Sequence, residues 1–109
     1  MKVGIVAHDG VVSPRLDQAL SLVIVEVVPP GTPSIRAIDI SGWPPHGRVM
    51  RLTEYDIETV ICGGLCSFDE AGFDASSVRL INGVSGPLNA VIDAVCQGTV
   101  GAGQNYWTR

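Results

Sequence analysis

The 109-residue chain predicts a single α/β domain, a mixed sheet of about five strands with helices on its faces. Three observations carry this. Short runs rich in valine and isoleucine recur between turn signals, as buried strands do. They come as one strand, then a hairpin, then strands alternating with helical segments, an order that requires parallel pairing through crossover helices. Near the C-terminal end, Leu88, Val91, Ile92, Val95 and Cys96 recur at the spacing of one helix face.

Residues 2–7 form the first strand, closed by the turn signal His8-Asp9-Gly10. An ordered loop over residues 11–17 follows, in which Pro14 fixes one φ angle. Residues 20–28 are a β-rich apolar run that reads as a central strand. Pro29-Pro30-Gly31-Thr32-Pro33 can only be a connection, and residues 34–40 resume a strand, so the two runs form an antiparallel hairpin. After Ser41-Gly42-Trp43-Pro44-Pro45, residues 46–55 are a short helix with Val49 and Leu52 on one face. Asp56-Ile57-Glu58 leads into a buried strand at residues 59–62. Ser67 is expected to cap the next helix, with Glu70 completing a capping box. Residues 78–81 are the last strand, ended by Asn82-Gly83. Ser85 is expected to cap the closing helix, which Gly98 stops; its stripe through Cys96 faces the core, with Asn89 and Asp93 outward. From Gly101 the periodicity is gone, which predicts a domain over residues 1–98 and a mobile tail over 99–109.

Composition narrows the function. Apolar residues make up 46% of the chain against 17% charged, with 13 glycines and 7 prolines, a turn-rich globular composition. The net charge is −4, and the 7 lysines and arginines do not cluster, which argues against a nucleic-acid partner. The longest apolar run, residues 22–28, contains Glu26 and is too short for a membrane span. Met1-Lys2-Val3 enters a strand directly, without a signal-peptide pattern, so a cytoplasmic protein is expected. There a count of 3 cysteines suggests free thiols or metal ligands rather than disulfides. No phosphate-binding loop or H-E-x-x-H motif occurs, and the glycines at 98, 101 and 103 follow the last helix instead of opening one. A two-metal nuclease needs carboxylates on the central strands, and the first strand offers Val3, Gly4, Ile5 and Val6. The chain is not expected to be an enzyme.

The candidate site is the end of the strand that carries Cys62. Gly63 and Gly64 permit positive φ angles and close approach of a ligand to backbone N–H groups, outside the carboxyl end of a strand. Cys62 and Cys66 flank them as C-x3-C. Two thiolates do not complete a tetrahedral zinc site, but thiolates suit iron, copper(I) and molybdenum–sulfur centres. Cys62 reads equally as a small buried residue, and Cys96 reads as core packing. His46 can ligate a metal, hydrogen-bond a sulfide, or serve as a surface residue at a helix start. Arg15 suits an anionic ligand or is a solvated loop charge, whereas His8 is assigned to a loop. A cysteine nucleophile at Cys66 lacks an identifiable second element.

The Val12-Ser13-Pro14 loop after the first strand, the hairpin, Pro45-His46-Gly47, Val60-Ile61-Cys62-Gly63-Gly64 and the closing amphipathic helix occur here in a specific order. In that order the chain resembles the dinitrogenase iron–molybdenum cofactor biosynthesis family, over residues 1–98. That family includes nitrogenase cofactor carriers and a small protein holding a mixed molybdenum–copper sulfide cluster. The resemblance implies a ribonuclease-H-like α/β fold. It further implies that the protein binds or carries a metal–sulfur cluster or its precursor, of the iron–molybdenum or molybdenum–copper type, and exchanges it with a cluster-synthesising or acceptor protein. Ser13, Arg15, His46, Gly63 and Gly64 would then cradle the cluster, with Cys62 and Cys66 as metal ligands. The chain departs from the family where Ser-Pro-His-Phe-Gly-Arg-Ala is replaced by Ser13-Pro14-Arg15-Leu16-Asp17-Gln18-Ala19, and where Leu65-Cys66 follows the glycine pair. Two other classes remain: a thiol-based redox protein or enzyme using Cys62 and Cys66, and an interaction module whose cysteines are structural.

Overall fold

The computed structural model describes residues 1–27 and 33–107. The proline-rich connection at residues 29–32 and the last two residues lie outside that description, as does the expected end of the second strand at Val28.

Strand β1 (Lys2–His8) turns at once into a two-residue strand β2 (Val11–Val12). His8 pairs with Val11 across a loop in which Asp9 and Gly10 have φ of 51° and 80°, the left-handed pair that a two-residue hairpin demands. Leu16–Gln18 form a single 3-10 turn, and β3 (Ser21–Glu26) then runs antiparallel to β1 with Gly4 opposite Ile24. β4 (Ser34–Asp39) pairs antiparallel with β3, as the hairpin expectation required. Helix α1 (Arg48–Thr53) leads to β5 (Thr59–Ile61), parallel to β1. Helix α2 (Ser67–Asp74) leads to β6 (Arg79–Ile81), parallel to β5, and helix α3 (Leu88–Gln97) follows. The sheet order is β4-β3-β1-β5-β6, with β2 attached to β1 outside that path. Counted without β2, this is the expected mixed five-strand sheet, in the order 3-2-1-4-5. Among the described residues no helix is long and apolar enough to cross a membrane.

The central strands are apolar on both sides because both sides are covered. Val6, Leu22, Ile24, Val60 and Cys62 point to one face, where Val49 and Leu52 of α1 and Phe73 of α2 close the core. Val3, Ile5, Val23, Val25 and Ile61 point to the other, covered by Val91 and Val95 of α3.

Six-residue α1 is too short to hold itself together. Its anchor is Arg48, which sequence pattern did not single out and which is only 4% exposed. The guanidinium donates to the carbonyls of Ala19 (2.7 Å), Leu16 (3.2 Å), Trp43 (3.1 Å), Pro44 (3.4 Å) and Ile40 (3.5 Å). Burial lowers its pKa, opposed by the more distant carboxylates of Asp17 and Asp69. Those carbonyls belong to the loop after β2 and to the stretch between β4 and α1, so one side chain ties both to the helix.

Four expectations are corrected. Cys66, not Ser67, occupies the cap position of α2: it is extended (φ −80°, ψ 165°), its carbonyl accepts from the Glu70 N–H at 3.0 Å, and no capping box forms. Pro87, not Ser85, precedes α3. Cys96 is exposed rather than in the core. At about 100° per residue it falls outside an arc centred on Val91 and Val95, and Ala94 fills the far edge of that arc instead. Residues 99–107 are not a free tail. Gly103 N–H donates to Asn82 O (2.9 Å), Ser85 N–H to Gln104 O (3.1 Å) and Tyr106 N–H to Ser85 O (2.8 Å), while the Tyr106 ring packs on the second core. Backbone pairing of this kind leaves no apolar period in the sequence.

Replacing Arg48 with Met keeps the aliphatic stem and strands the buried carbonyls. Unfolding by urea is expected to show a loss of about 3 kcal/mol or more; a loss below about 0.5 kcal/mol, typical of neutral surface changes, would contradict the anchoring role. Deleting residues 99–109 is expected to lower the melting temperature by more than about 4 °C, because about 1 kcal/mol moves a domain of this size that far.

Candidate functional site

The site forms where the loop after β2 crosses the carboxyl end of β5. The Ser13 N–H donates to Val6 O at 2.9 Å and leads the chain across. There the Gly63 N–H donates to Ser13 O (3.2 Å), the Gly64 N–H to Pro14 O (2.7 Å) and the Leu16 N–H to Gly64 O (2.9 Å). A Cβ on Gly63 would lie 2.5 Å from Ser13 O and 2.9 Å from Pro14 O, so two backbones touch where only glycine fits. Neither Gly63 nor Gly64 takes a positive φ. Close approach explains Gly63, a Cβ on Gly64 would lie a tight 3.1 Å from Pro14 O, and the N–H groups of both are taken up by the loop rather than turned outward.

Ser13 is fully buried and donates its Oγ–H to the Arg15 carbonyl at 2.7 Å, which braces the loop from within. Arg15 stands exposed on the outer side. Its Nε and Nη2 donate to the two carboxylate oxygens of Asp17, each at 2.9 Å. This bond raises the Arg15 pKa and lowers that of Asp17. Arg15 pairs by its backbone with Gly64 and sits within the electrostatic reach of Cys66 and Asp69.

The two thiols part. Cys62 is buried, with Sγ 3.6 Å from the Gly63 carbonyl, and burial, helped by the Asp69 charge, pushes its pKa up to about 12. Burial thus favours its neutral form over the thiolate that a metal would require. Cys66 is half-buried at the start of α2, beyond the glycine turn. His46 is exposed, its ring edge-on to Phe68 of α2 with centroids 6.1 Å apart. The structure therefore brings Arg15, Gly64 and Cys66 to one mouth, places His46 beside the first turn of α2, and leaves Cys62 beneath. Cys96 lies on α3, on the opposite face of the sheet. Among the described residues no three His, Cys, Asp or Glu side chains converge to hold a metal ion.

Asp69, in the first turn of α2, did not stand out in the sequence, where it resembles any acidic residue opening a helix. It is 2% exposed, and Oδ2 has no hydrogen-bond partner among the described residues. It lines a cavity of about 420 Å³ between α1 and α2.

Cys62 makes stability pH-dependent in a definite direction. The folded chain keeps a proton that the unfolded thiol releases near 9.0, so this contribution is complete below that pH and is lost as pH rises towards about 12. The stability of the protein relative to Cys62→Ala is expected to fall by up to about 1.4 kcal/mol per pH unit over this window. Parallel pH profiles for the two proteins in urea titrations would contradict the burial of the thiol.

No protein-family model and no curated protein matches the chain. Solved structures do. The crystal structure of PH0822 aligns with a TM-score of 0.79 at 19% identity, over 90% of this chain and 90% of that one. A candidate dinitrogenase from Methanocaldococcus jannaschii aligns with a TM-score of 0.71 at 14% identity, over 91% of this chain and 90% of that one. A candidate NifB protein from Thermotoga, placed in the DUF35 family, aligns with a TM-score of 0.64 at 22% identity, over 99% of this chain and 97% of that one. At these identities the likeness is one of fold, and it extends over nearly the whole chain.

Proposed function

We propose that this chain binds or carries a metal–sulfur cluster, of the iron–molybdenum or molybdenum–copper type, as cargo in cofactor assembly or delivery in the cytoplasm, and that it is not itself an enzyme. The observation that carries the reading is that the exposed Arg15, paired by its backbone with Gly64, and the half-buried Cys66, two residues past Gly64, both stand at the carboxyl end of the sheet. The names of the fold neighbours, a candidate dinitrogenase and a candidate NifB protein, agree with it. One accessible thiol and one permanent cation suit an anionic cluster that brings its own sulfides better than one ligated wholly by protein. In this reading Cys66 is the soft ligand, Arg15 supplies charge-assisted hydrogen bonds from Nη1, which its pairing with Asp17 leaves unused, and His46 is a second donor at the rim. Ser13, Gly63 and Gly64 hold the loop that carries Arg15. Ligation by Cys62 as well requires the glycine turn to open. The partner is then a protein that synthesises the cluster or accepts it.

A second reading, thiol-based redox chemistry, draws on the same half-buried Cys66 beside a cation. Its weakness is Cys62, whose neutral buried thiol is poorly placed to resolve a disulfide at Cys66.

Anaerobic titration with tetrathiomolybdate and copper(I), and separately with iron and sulfide, followed by absorption spectra and metal analysis, tests the proposal. Stoichiometric uptake is expected. Arg15→Ala should weaken it roughly tenfold or more while leaving unfolding unchanged, and Cys66→Ser should abolish it. Full uptake by Cys66→Ser would remove the thiolate from the site. No uptake, together with rapid disulfide exchange at Cys66, would favour the second reading.

A further inference from the structure

We infer that the groove between α1 and α2 binds a small organic ammonium ion, its apolar body in the groove and its charged head on the Asp69 carboxylate. This site lies beside the cluster mouth and does not depend on the cluster reading. The groove encloses about 420 Å³, within the range of roughly 300–1,000 Å³ of small-molecule sites. Its walls are the small residues Gly47, Ala71, Gly72 and Ala75 together with Val49, and Met50 and Phe68 stand at its lips, 74% and 67% exposed. Small walls leave room between the helices for an unbranched chain or a single ring.

Asp69 sets the head group. It lines the groove at 2% exposure with Oδ2 unpartnered among the described residues, and a buried carboxylate oxygen without a donor is costly. The two cations that act on it do so at range. Arg15 is committed to Asp17 and Arg48 to backbone carbonyls. Around it, α2 also carries Glu70 and Asp74 and no basic residue, and the chain as a whole bears a net charge of −4. A donor that enters this groove therefore gains from a positive charge, and an acid is repelled.

The test compares n-hexylammonium, 1-hexanol and hexanoate, ligands of matched length, against the full chain by amide NMR titration. The ammonium is expected to saturate with shifts centred on Thr53, Phe68 and Gly72 and to bind roughly tenfold tighter or more than the alcohol, with hexanoate not binding. Asp69→Asn should remove the preference for the ammonium, and Ala75→Leu, at an exposed wall residue, should block all binding. An N-acetylated lysine amide should bind more weakly than hexylammonium. Equal affinity for ammonium and alcohol, a preference that survives in Asp69→Asn, or shifts elsewhere would overturn the assignment, and lysine amide binding as tight as hexylammonium would transfer the site to a protein side chain.

Discussion

The structure depends on how the chain from Ser13 to Ala19 is pressed over the end of the sheet. On one side Gly63 and Gly64 bring their backbone within hydrogen-bond distance of Ser13 and Pro14, an approach that a single methyl group on Gly63 would forbid. On the other side the buried guanidinium of Arg48 draws the Leu16 and Ala19 carbonyls towards α1. The loop is thereby fixed between the sheet and the first helix, Leu16 and Ala19 are sealed in the core, and Arg15 is left on the outside. This clamp also buries the thiol of Cys62 and leaves Cys66 to emerge past the turn.

Most of the strands were legible in the sequence. Val3, Ile5, Val6, Leu22 to Val25, Val60 and Ile61 are apolar on both sides because helices cover both faces of the sheet, and Asp9-Gly10 marks a turn by its chemistry. The features that escaped are those decided by contacts distant in sequence. Arg48 lies 32 residues from one of its acceptors, and no local pattern distinguishes it from Arg51, which is exposed. Cys96 sits at a spacing compatible with the helix stripe but beyond its edge, an ambiguity that only the orientation of α3 on the sheet resolves. Residues 103–106 pair through backbone with residues 82–85, and backbone leaves no signature of that pairing in side-chain identity.

The site was legible in its location but not in its division of labour. The strand end, the glycine pair and Cys66 lie at the carboxyl end of β5, with Cys62 buried beneath them. Glycine is present there so that loop and strand can touch, however, and the outward-facing groups are side chains: Arg15, Cys66 and His46. The spacing C-x3-C suggests a pair of equals, whereas the alternation of the strand sends Cys62 into the first core and the turn brings Cys66 to the surface. The proposed function follows from that separation, with charge and one soft ligand at the mouth and a protonated thiol beneath it. In the same way Asp69, an unremarkable acid in sequence, acquires its meaning from burial at the edge of an apolar groove.

The central claim is that the proposed cluster sits on Cys66 at the Arg15 mouth. Iodoacetamide footprinting of anaerobically loaded and unloaded protein, read by mass spectrometry of each cysteine peptide, addresses it most directly. The account predicts that loading protects Cys66, leaves the exposed Cys96 fully modified, and finds Cys62 unmodified in both states. Modification of Cys66 at the same rate in the loaded and unloaded protein would contradict it.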